Sequence, residues 1–139
     1  MRRELPDGYE LDDDRERIDV DAVHAYIGGV SYWAKGRSHE RMQAAIDGAA
    51  RVIGLYKDGE QVGFARVISD CATFAYLADV YVLEPHRGGG RGVALVREAI
   101  EGEPWSGLTW HLKTKDAHSL YEKLGFVPSS DRAMDRPAR

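Results

Sequence analysis

The sequence predicts an α/β or α+β fold built on a mixed β-sheet, for three reasons. Strand-like runs rich in aromatic and β-branched residues alternate with stretches whose apolar residues recur at helical spacing. An Asp-Gly pair at residues 58–59 lies between two apolar runs, and this dipeptide is a strong hairpin signal. A glycine-rich stretch follows the longest strand-like run. A chain of 139 residues is long enough for one domain, residues 1–139, but not for two.

The N-terminal part predicts one weak strand and two helices. The strand covers residues 9–14 (YELDDD), and the first helix covers residues 19–27 (DVDAVHAYI), with an Asp near its start and two glycines at its end. Ser38 is the expected N-cap of the second helix, residues 39–49. Between the helices, residues 31–37 (SYWAKGR) are too aromatic to be a simple spacer.

The rest of the chain predicts strands and helices in alternation. Asp116 is the expected cap of the last helix, and Gly125 is expected to close it. In chain order the elements are a hairpin over residues 50–69, a long strand over 72–83, a helix over 92–102, a strand over 108–114, a helix over 116–125 and an extended segment over 126–134.

Composition and charge argue against several classes of function. The net charge of -4 provides no global positive field, so neither a nucleic acid nor an anionic membrane is an expected partner. Residues 1–17 lack the apolar core of a signal peptide, and no run approaches the roughly 18 apolar residues of a membrane span, which predicts a cytoplasmic protein. Cys71 is the single cysteine, and the five histidines show no metal-ligand spacing, so no metal is expected.

Residues 86–92 (HRGGGRG) predict an anion-binding loop. Unpaired N–H groups converge where a strand, a glycine turn and a helix N-terminus follow one another, and the helix dipole adds about half a positive charge. Arg87 and Arg91 add positive charge suited to a pyrophosphate. A Walker loop would need Gly-Lys-Ser/Thr, and a dinucleotide fingerprint would need glycine at Val93 or Leu95. A flexible loop with solvated arginines is the alternative.

Two sequence blocks resemble the GNAT superfamily of N-acetyltransferases. Residues 87–92 match its Arg/Gln-x-x-Gly-x-Gly/Ala signature, between a long strand and a helix as in that family. Residues 116–126 (DAHSLYEKLGF) look like its C-terminal A-x-x-LY-E-K-x-GF segment. With the order of strands, the resemblance covers roughly the whole chain, and it extends to an uncharacterised bacterial branch that shares SYWAKGR. It implies the GNAT fold, a mostly antiparallel, splayed sheet flanked by helices.

The resemblance implies acetyl-CoA as the cosubstrate and assigns its contacts. Backbone N–H groups of the loop would hold the CoA pyrophosphate, and a strand edge would pair with the pantetheine arm. Thr114 stands where the family often has an asparagine. The implied loop residues are Arg87, Gly88, Gly89, Gly90, Arg91, Gly92 and Val93. The implied strand residues are Tyr81, Val82 and Leu83, and Ala117 and Lys123 complete the cofactor set, with a solvated lysine as the alternative for Lys123.

Two residues are the catalytic candidates. Tyr121 matches the family tyrosine that donates a proton to the CoA sulfur, although it could simply pack on the sheet. Asp79 is a carboxylate inside an apolar strand, which is costly unless it faces a cleft or a partner. It is a candidate base or acceptor-orienting group, and pairing with an arginine is the alternative. Polyamine acetyltransferases have Glu-Asp where this chain has Ala78-Asp79.

The candidate acceptor residues are Tyr32, Trp33, Lys35 and Arg37. In GNAT folds this connection closes over the acceptor, but these side chains could instead fasten the loop to the sheet. The expected activity is direct acetyl transfer from acetyl-CoA to a primary amine of a small molecule or peptide, with a homodimer allowed. The alternative is a non-catalytic acyl-CoA-binding or sensing domain, for which Tyr121 would have no use.

Overall fold

The computed structural model describes residues 1–129 and 132–138, and its centre is one mixed β-sheet. Over these residues the sheet has six strands, which lie in sequence order. Neighbours from β1 to β5 are antiparallel, and β6 runs parallel to β5. The predicted mixed sheet is therefore confirmed. The strands are β1 (Arg2–Glu4), β2 (Tyr9–Asp12), β3 (Arg51–Lys57), β4 (Glu60–Ser69), β5 (Phe74–Val82) and β6 (Thr109–His111).

In the part of the chain that the structure describes, four α-helices flank the sheet: α1 (Val20–Gly29), α2 (His39–Gly48), α3 (Arg91–Ile100) and α4 (His118–Glu122). Asp19 caps α1 by accepting from the N–H of Ala22 at 3.0 Å. Ser38 caps α2 as predicted, accepting from the N–H of Arg41 at 3.1 Å. No helix in the described ranges combines the length and the apolar character that a membrane crossing requires.

The core has two halves, one on each face of the sheet. Helices α1 and α2 cover one face, and α3 covers the other. Because side chains of a strand alternate between faces, neighbouring residues such as Val52 and Ile53 enter different halves. The largest buried side chains of the α1/α2 half are Ile27, Met42, Ile46 and Phe64, and those of the α3 half are Leu11, Ile53, Leu55 and Leu95.

The hairpin between β3 and β4 forms as the Asp-Gly pair predicts. Asp58 and Gly59 both have positive φ, 52° and 82°, as a type I′ turn requires.

Several predicted boundaries were wrong. Strand β1 was not predicted, because its residues are polar and become a strand only by pairing with β2. Strand β6 is three residues long rather than seven. Asp116 does not cap α4: Ala117 is the N-cap, and its N–H donates to Oγ1 of Thr114 at 3.1 Å. The expected extended segment has neither helix nor strand over residues 126–129 and 132–134, and its residues 130–131 lie outside the described chain.

A bulge in β5 and the short β6 open the sheet on one side. Arg66 lies opposite Ala78 and Phe64 opposite Tyr81, so one residue of β4 faces two of β5. Asp79 is at this bulge with a φ of 56°. Pairing of β5 with β6 ends at Tyr76, and within the described residues the following stretch, 77–82, has a free edge on that side.

Candidate active site

The glycine loop leaves a set of backbone donors without acceptors. Gly88, Gly89 and Gly90 have φ angles of 86°, 62° and 76°, a left-handed run that other residues adopt only at a cost. Gly90 is the N-cap of α3 and has no side chain that could cap it. No acceptor in the described part of the chain takes the N–H groups of Gly92 and Val93 in the first turn. Helices α1 and α2 have side-chain caps and α3 has none, so the first-turn N–H groups of α3 can bind an anion.

Two arginines hold the loop in shape. The guanidinium of Arg91 lies 3.9 Å from the centre of the Tyr9 ring, and its NH1 donates to the carbonyl of Gly88 at 3.2 Å. The Nε of Arg91 is buried and has no partner among the described residues. Nε of Arg87 donates to the carbonyl of Val82 at 2.8 Å, which fixes the loop to the end of β5. The loop is therefore ordered by its own arginines.

A cleft of about 610 Å³ runs from the glycine loop along the free edge of β5, and we call it the large cleft. Most of the predicted cofactor residues meet there, together with Tyr121 and part of the 31–37 segment. The predicted residues that line it are Tyr32, Trp33, Tyr81, Val82, Arg87, Gly88, Gly90, Arg91, Gly92, Val93, Ala117, Tyr121 and Lys123.

Five predicted site residues do not line the large cleft. Asp79 and Arg37 line a second cleft, described below, and Leu83, Gly89 and Lys35 line neither. The N–H of Leu83 donates to the carbonyl of Val62 at 2.8 Å, so it is not free to pair with a ligand. A Cβ on Gly89 would meet the guanidinium of Arg91 rather than the cleft. Lys35 is exposed. The N–H of Leu83 is therefore engaged within the sheet, whereas the ligand contacts expected of Gly89 and Lys35 stay predictions.

A second cleft of about 350 Å³ lies beside the bulge, and we call it the arginine cleft because Arg37 and Arg66 line it. Asp79 lies in its wall with only 1% of its side chain exposed. Its Oδ2 accepts from NH1 of Arg37 and from Nε of Arg66, both at 2.8 Å, and its Oδ1 accepts from Nε1 of Trp33 at 2.9 Å. The structure thus contains the arginine pairing that was the alternative for Asp79.

The pairing sets the protonation state of Asp79. Burial by itself raises the pKa of this carboxyl group, but Arg66, Trp33 and Arg37 outweigh burial, and the pKa lies below its ordinary value. A carboxylate that accepts three hydrogen bonds at a lowered pKa is a poor proton acceptor near neutral pH. The arrangement is better suited to holding the 31–37 segment against the sheet.

Tyr121 lies where the two clefts meet, since it lines both. Its ring packs against Phe126 with centroids 5.7 Å apart, and burial raises the pKa of its hydroxyl to about 12, with smaller contributions from Tyr32 and Asp116. The hydroxyl therefore stays protonated through the neutral and mildly alkaline range and can donate a hydrogen bond at the junction.

The 31–37 segment both fastens itself to the sheet and lines the clefts. The hydroxyl of Tyr32 accepts from the N–H of Lys115 at 2.8 Å, which connects the segment to the chain before α4. His24 bonds to the carbonyl of Arg37 at 2.9 Å. Tyr32 and Trp33 line both clefts, so the two interpretations of this segment are not exclusive.

Two site residues escaped the sequence analysis. Arg66 reaches the arginine cleft from β4, and the only signal was an arginine within an apolar strand. Asp116, interpreted as a helix cap, instead lines both clefts and is exposed. Among the described residues, no group of three or more His, Cys, Asp or Glu side chains is close enough to hold a metal ion.

The free strand edge beside an uncapped helix N-terminus is the layout that the resemblance to GNAT acyltransferases leads us to expect. The chain belongs to the GNAT acetyltransferase family: the family described as "Acetyltransferase (GNAT) domain" matches residues 48–128. The match spans the β3–β4 hairpin, the glycine loop and α4.

Similar proteins bear the same description. A protein of Gibberella zeae named "Putative acetyltransferase" is 30% identical, over 84% of this chain and 78% of its own. A crystal structure from Xanthomonas campestris, titled a "putative acetyltransferase belonging to the gnat family", is 40% identical with a TM-score of 0.86, covering 94% of this chain and 93% of that one. Glucosamine-6-phosphate N-acetyltransferase from Arabidopsis thaliana is similar at a TM-score of 0.64, covering 92% and 97% of the two chains; at 13% identity it shows the fold alone.

Proposed function

We propose that the protein is an acetyl-CoA-dependent N-acetyltransferase that acetylates a primary amine of a small molecule or peptide by direct transfer. The observation that carries this proposal is the row of backbone N–H groups without acceptors at the start of α3. They open into a cleft that continues along a free strand edge to a tyrosine hydroxyl. An anion site, a strand edge and a donor in this order match the pyrophosphate, pantetheine arm and sulfur of CoA.

The chain offers a separate contact for each part of the cosubstrate. The N–H groups of the loop and of the first turn of α3 suit the pyrophosphate. The free edge of β5 at Val80, Tyr81 and Val82 suits the amide groups of the pantetheine arm, which would add to the sheet as a further strand. Lys123, exposed at the cleft, is placed to attract phosphate charge.

In the proposed reaction, the amine nitrogen attacks the thioester carbonyl carbon, the C–N bond forms and the C–S bond breaks. The sulfur leaves with its electron pair and needs a donor. Tyr121 is the proposed donor. A hydroxyl with a pKa of about 12 holds its proton more tightly than a thiol with a pKa near 8.5, so Tyr121 stabilises the thiolate by a hydrogen bond and solvent completes its protonation.

The amine must also lose a proton. For an amine with a pKa of about 10.4, the neutral form costs roughly 4.6 kcal/mol at pH 7. We assign this proton to Asp116, the exposed carboxylate that lines both clefts, and we give Asp79 the role of positioning Trp33 and Arg37. Solvent reaches Asp116 directly and can carry the proton away.

The test is thiol release from acetyl-CoA across a panel of amines, with Tyr121→Phe as the diagnostic variant. We expect thiol release with at least one amine. The variant should keep its affinity for CoA and lose roughly 10²–10³-fold in kcat, the usual loss when one hydrogen-bond donor to a developing anion is removed. CoA binding without acetyl transfer to any amine would favour the non-catalytic acyl-CoA-binding domain. Unchanged turnover in Tyr121→Phe would remove Tyr121 from the mechanism.

A further inference from the structure

The arginine cleft presents more hydrogen-bond donors than its own carboxylate can use. Asp79 takes one N–H from each arginine, and NH1 of Arg37 also lies 3.6 Å from Sδ of Met42. Both terminal NH2 groups of Arg66, and the Nε–H and second NH2 of Arg37, have no acceptor among the residues the structure describes. The side chain of Arg66 is 12% exposed and that of Arg37 is 19% exposed, so these donors are partly withdrawn from water.

The charge of this cluster is positive at its centre. One carboxylate lies between two guanidinium groups, and its side chain is only 1% exposed, so it offers almost no surface to a second cation. Lys113 adds a further positive charge to the cleft, paired with Asp135, and Asp116 at the junction with the large cleft is the other carboxylate of the lining. An acceptor with several positive charges would meet the two arginines, with Asp116 as the single carboxylate of the described lining that is not already paired with them.

We propose that the acceptor amine carries an anionic group, a carboxylate or a phosphate, and that Arg37 and Arg66 bind this group. The inference rests on the proposed acetyl transfer. A guanidinium presents its N–H groups in a planar fork that fits the paired oxygens of a carboxylate or phosphate. Such a group would accept hydrogen bonds from the N–H groups that Asp79 leaves free, and its negative charge would balance the charge of the second arginine.

The relation between the clefts places the two ends of the acceptor. Tyr32, Trp33 and Tyr121 line both clefts, whereas Arg37 and Arg66 line only the arginine cleft. The amine therefore belongs at the junction beside Tyr121, and the anion belongs on the arginine side. A cleft of about 350 Å³ is at the small end of ligand sites, which favours a compact acceptor with its amine and anion separated by a few bonds.

The decisive experiment uses matched amines with the wild-type protein. The pairs are γ-aminobutyrate against its amide and phosphoethanolamine against ethanolamine, with spermidine as the polycation. We expect kcat/KM to be at least about tenfold higher for the anionic member of one pair, because a charge-assisted contact is then made only by that member. The pair that responds tells a carboxylate site from a phosphate site. Equal values within both pairs, or a preference for spermidine, would overturn the proposal.

Variants at Arg66 connect the preference to the cleft. Arg66→Gln should abolish the preference for the anionic member, and Arg66→Lys, which keeps the charge but loses the fork, should retain part of it. Arg41→Gln, an exposed arginine on α2, is the matched control and should leave the preference unchanged. A preference that survives in a folded Arg66→Gln protein would refute this site. If Arg66→Gln does not fold, the anion preference of Arg66→Lys, compared with that of the wild-type protein on the same amine pairs, tests the site.

A second measurement separates this inference from the proposed activity. Calorimetry on the CoA complex should detect phosphoethanolamine or γ-aminobutyrate binding, weaker in Arg66→Lys at unchanged CoA affinity. That result would support the anion site even if no amine were acetylated, in which case only the proposed activity would fail. Normal acetylation with no anion preference in either binding or turnover would overturn the anion site and leave the activity intact.

Discussion

Asp79→Asn tests whether this carboxylate organises the site or accepts a proton. Asparagine keeps the size of the side chain but replaces one oxygen by an NH2 group, which would face donors from Arg37, Arg66 or Trp33. The two guanidinium groups would also lose the carboxylate between them. The variant therefore removes the charge while preserving the volume.

The structure sets the size of the expected effect. Removing one partner of a buried ion pair costs about 3–5 kcal/mol. The arginine side chains remain 12% and 19% exposed, so we expect the lower end, about 3 kcal/mol. A destabilisation of that size lowers the melting temperature of a domain of this length by roughly 10 °C.

The loss should depend on pH in a defined direction. The pKa of Asp79 is lower in the folded protein than its ordinary value of 3.8, because Arg66, Trp33 and Arg37 outweigh burial. The unfolded chain therefore binds this proton more readily, and the contribution is complete above the ordinary pKa and lost as the pH falls through the folded one. The gap between wild type and variant should stay constant from about pH 5 to pH 8 and close below about pH 4.

The assay is thermal unfolding followed by circular dichroism at several pH values, together with calorimetry of CoA binding. Asp47→Asn, an exposed aspartate on α2, is the control and should change stability by no more than about 0.5 kcal/mol. CoA affinity should be nearly unchanged in Asp79→Asn, because Asp79 lines the arginine cleft. A stable variant whose turnover shifts to alkaline pH would refute the positioning role and make Asp79 the base.

Three further predictions address the other parts of the site. Gly90→Ala and Gly102→Ala each place a Cβ in open space at positive φ, which should lower the free energy of unfolding by about 1–2 kcal/mol. Only Gly90→Ala should weaken CoA binding, by tenfold or more in calorimetry. An equal loss of CoA affinity in both variants would contradict the loop assignment. Trp33→Phe removes the indole N–H that donates to Asp79 at 2.9 Å. The KM for the acceptor should therefore rise by roughly tenfold at constant CoA affinity. A matching loss of CoA affinity would instead assign Trp33 to the cofactor site. Asp116→Asn should move the rising limb of the pH-rate profile to higher pH, since the amine then loses its proton without the carboxylate; an unchanged profile would exclude Asp116 as the acceptor of that proton.

The sequence by itself determined the features that depend on near neighbours in the chain. The Ser38 cap, the Asp-Gly hairpin and the glycine turn before α3 each rest on contacts over a few residues, so their residue types are sufficient to predict them. Apolar periodicity predicted the alternation of helices and strands, and the glycine loop and the Tyr121 block pointed to the family. The comparisons confirm that family.

Only the tertiary structure decided which distant residues meet. Asp79 finds Trp33 and Arg37 more than forty residues away, and Arg66 reaches it across the sheet only because of the register and the bulge between β4 and β5. The short pairing of β6 frees the edge of β5. Helix α4 begins after Ala117 without a side-chain cap, and the N–H of Ala117 donates to Thr114, which leaves the carboxylate of Asp116 in the clefts. These outcomes depend on strand register and on competition between neighbouring polar groups, and neither is encoded by the type of a single residue.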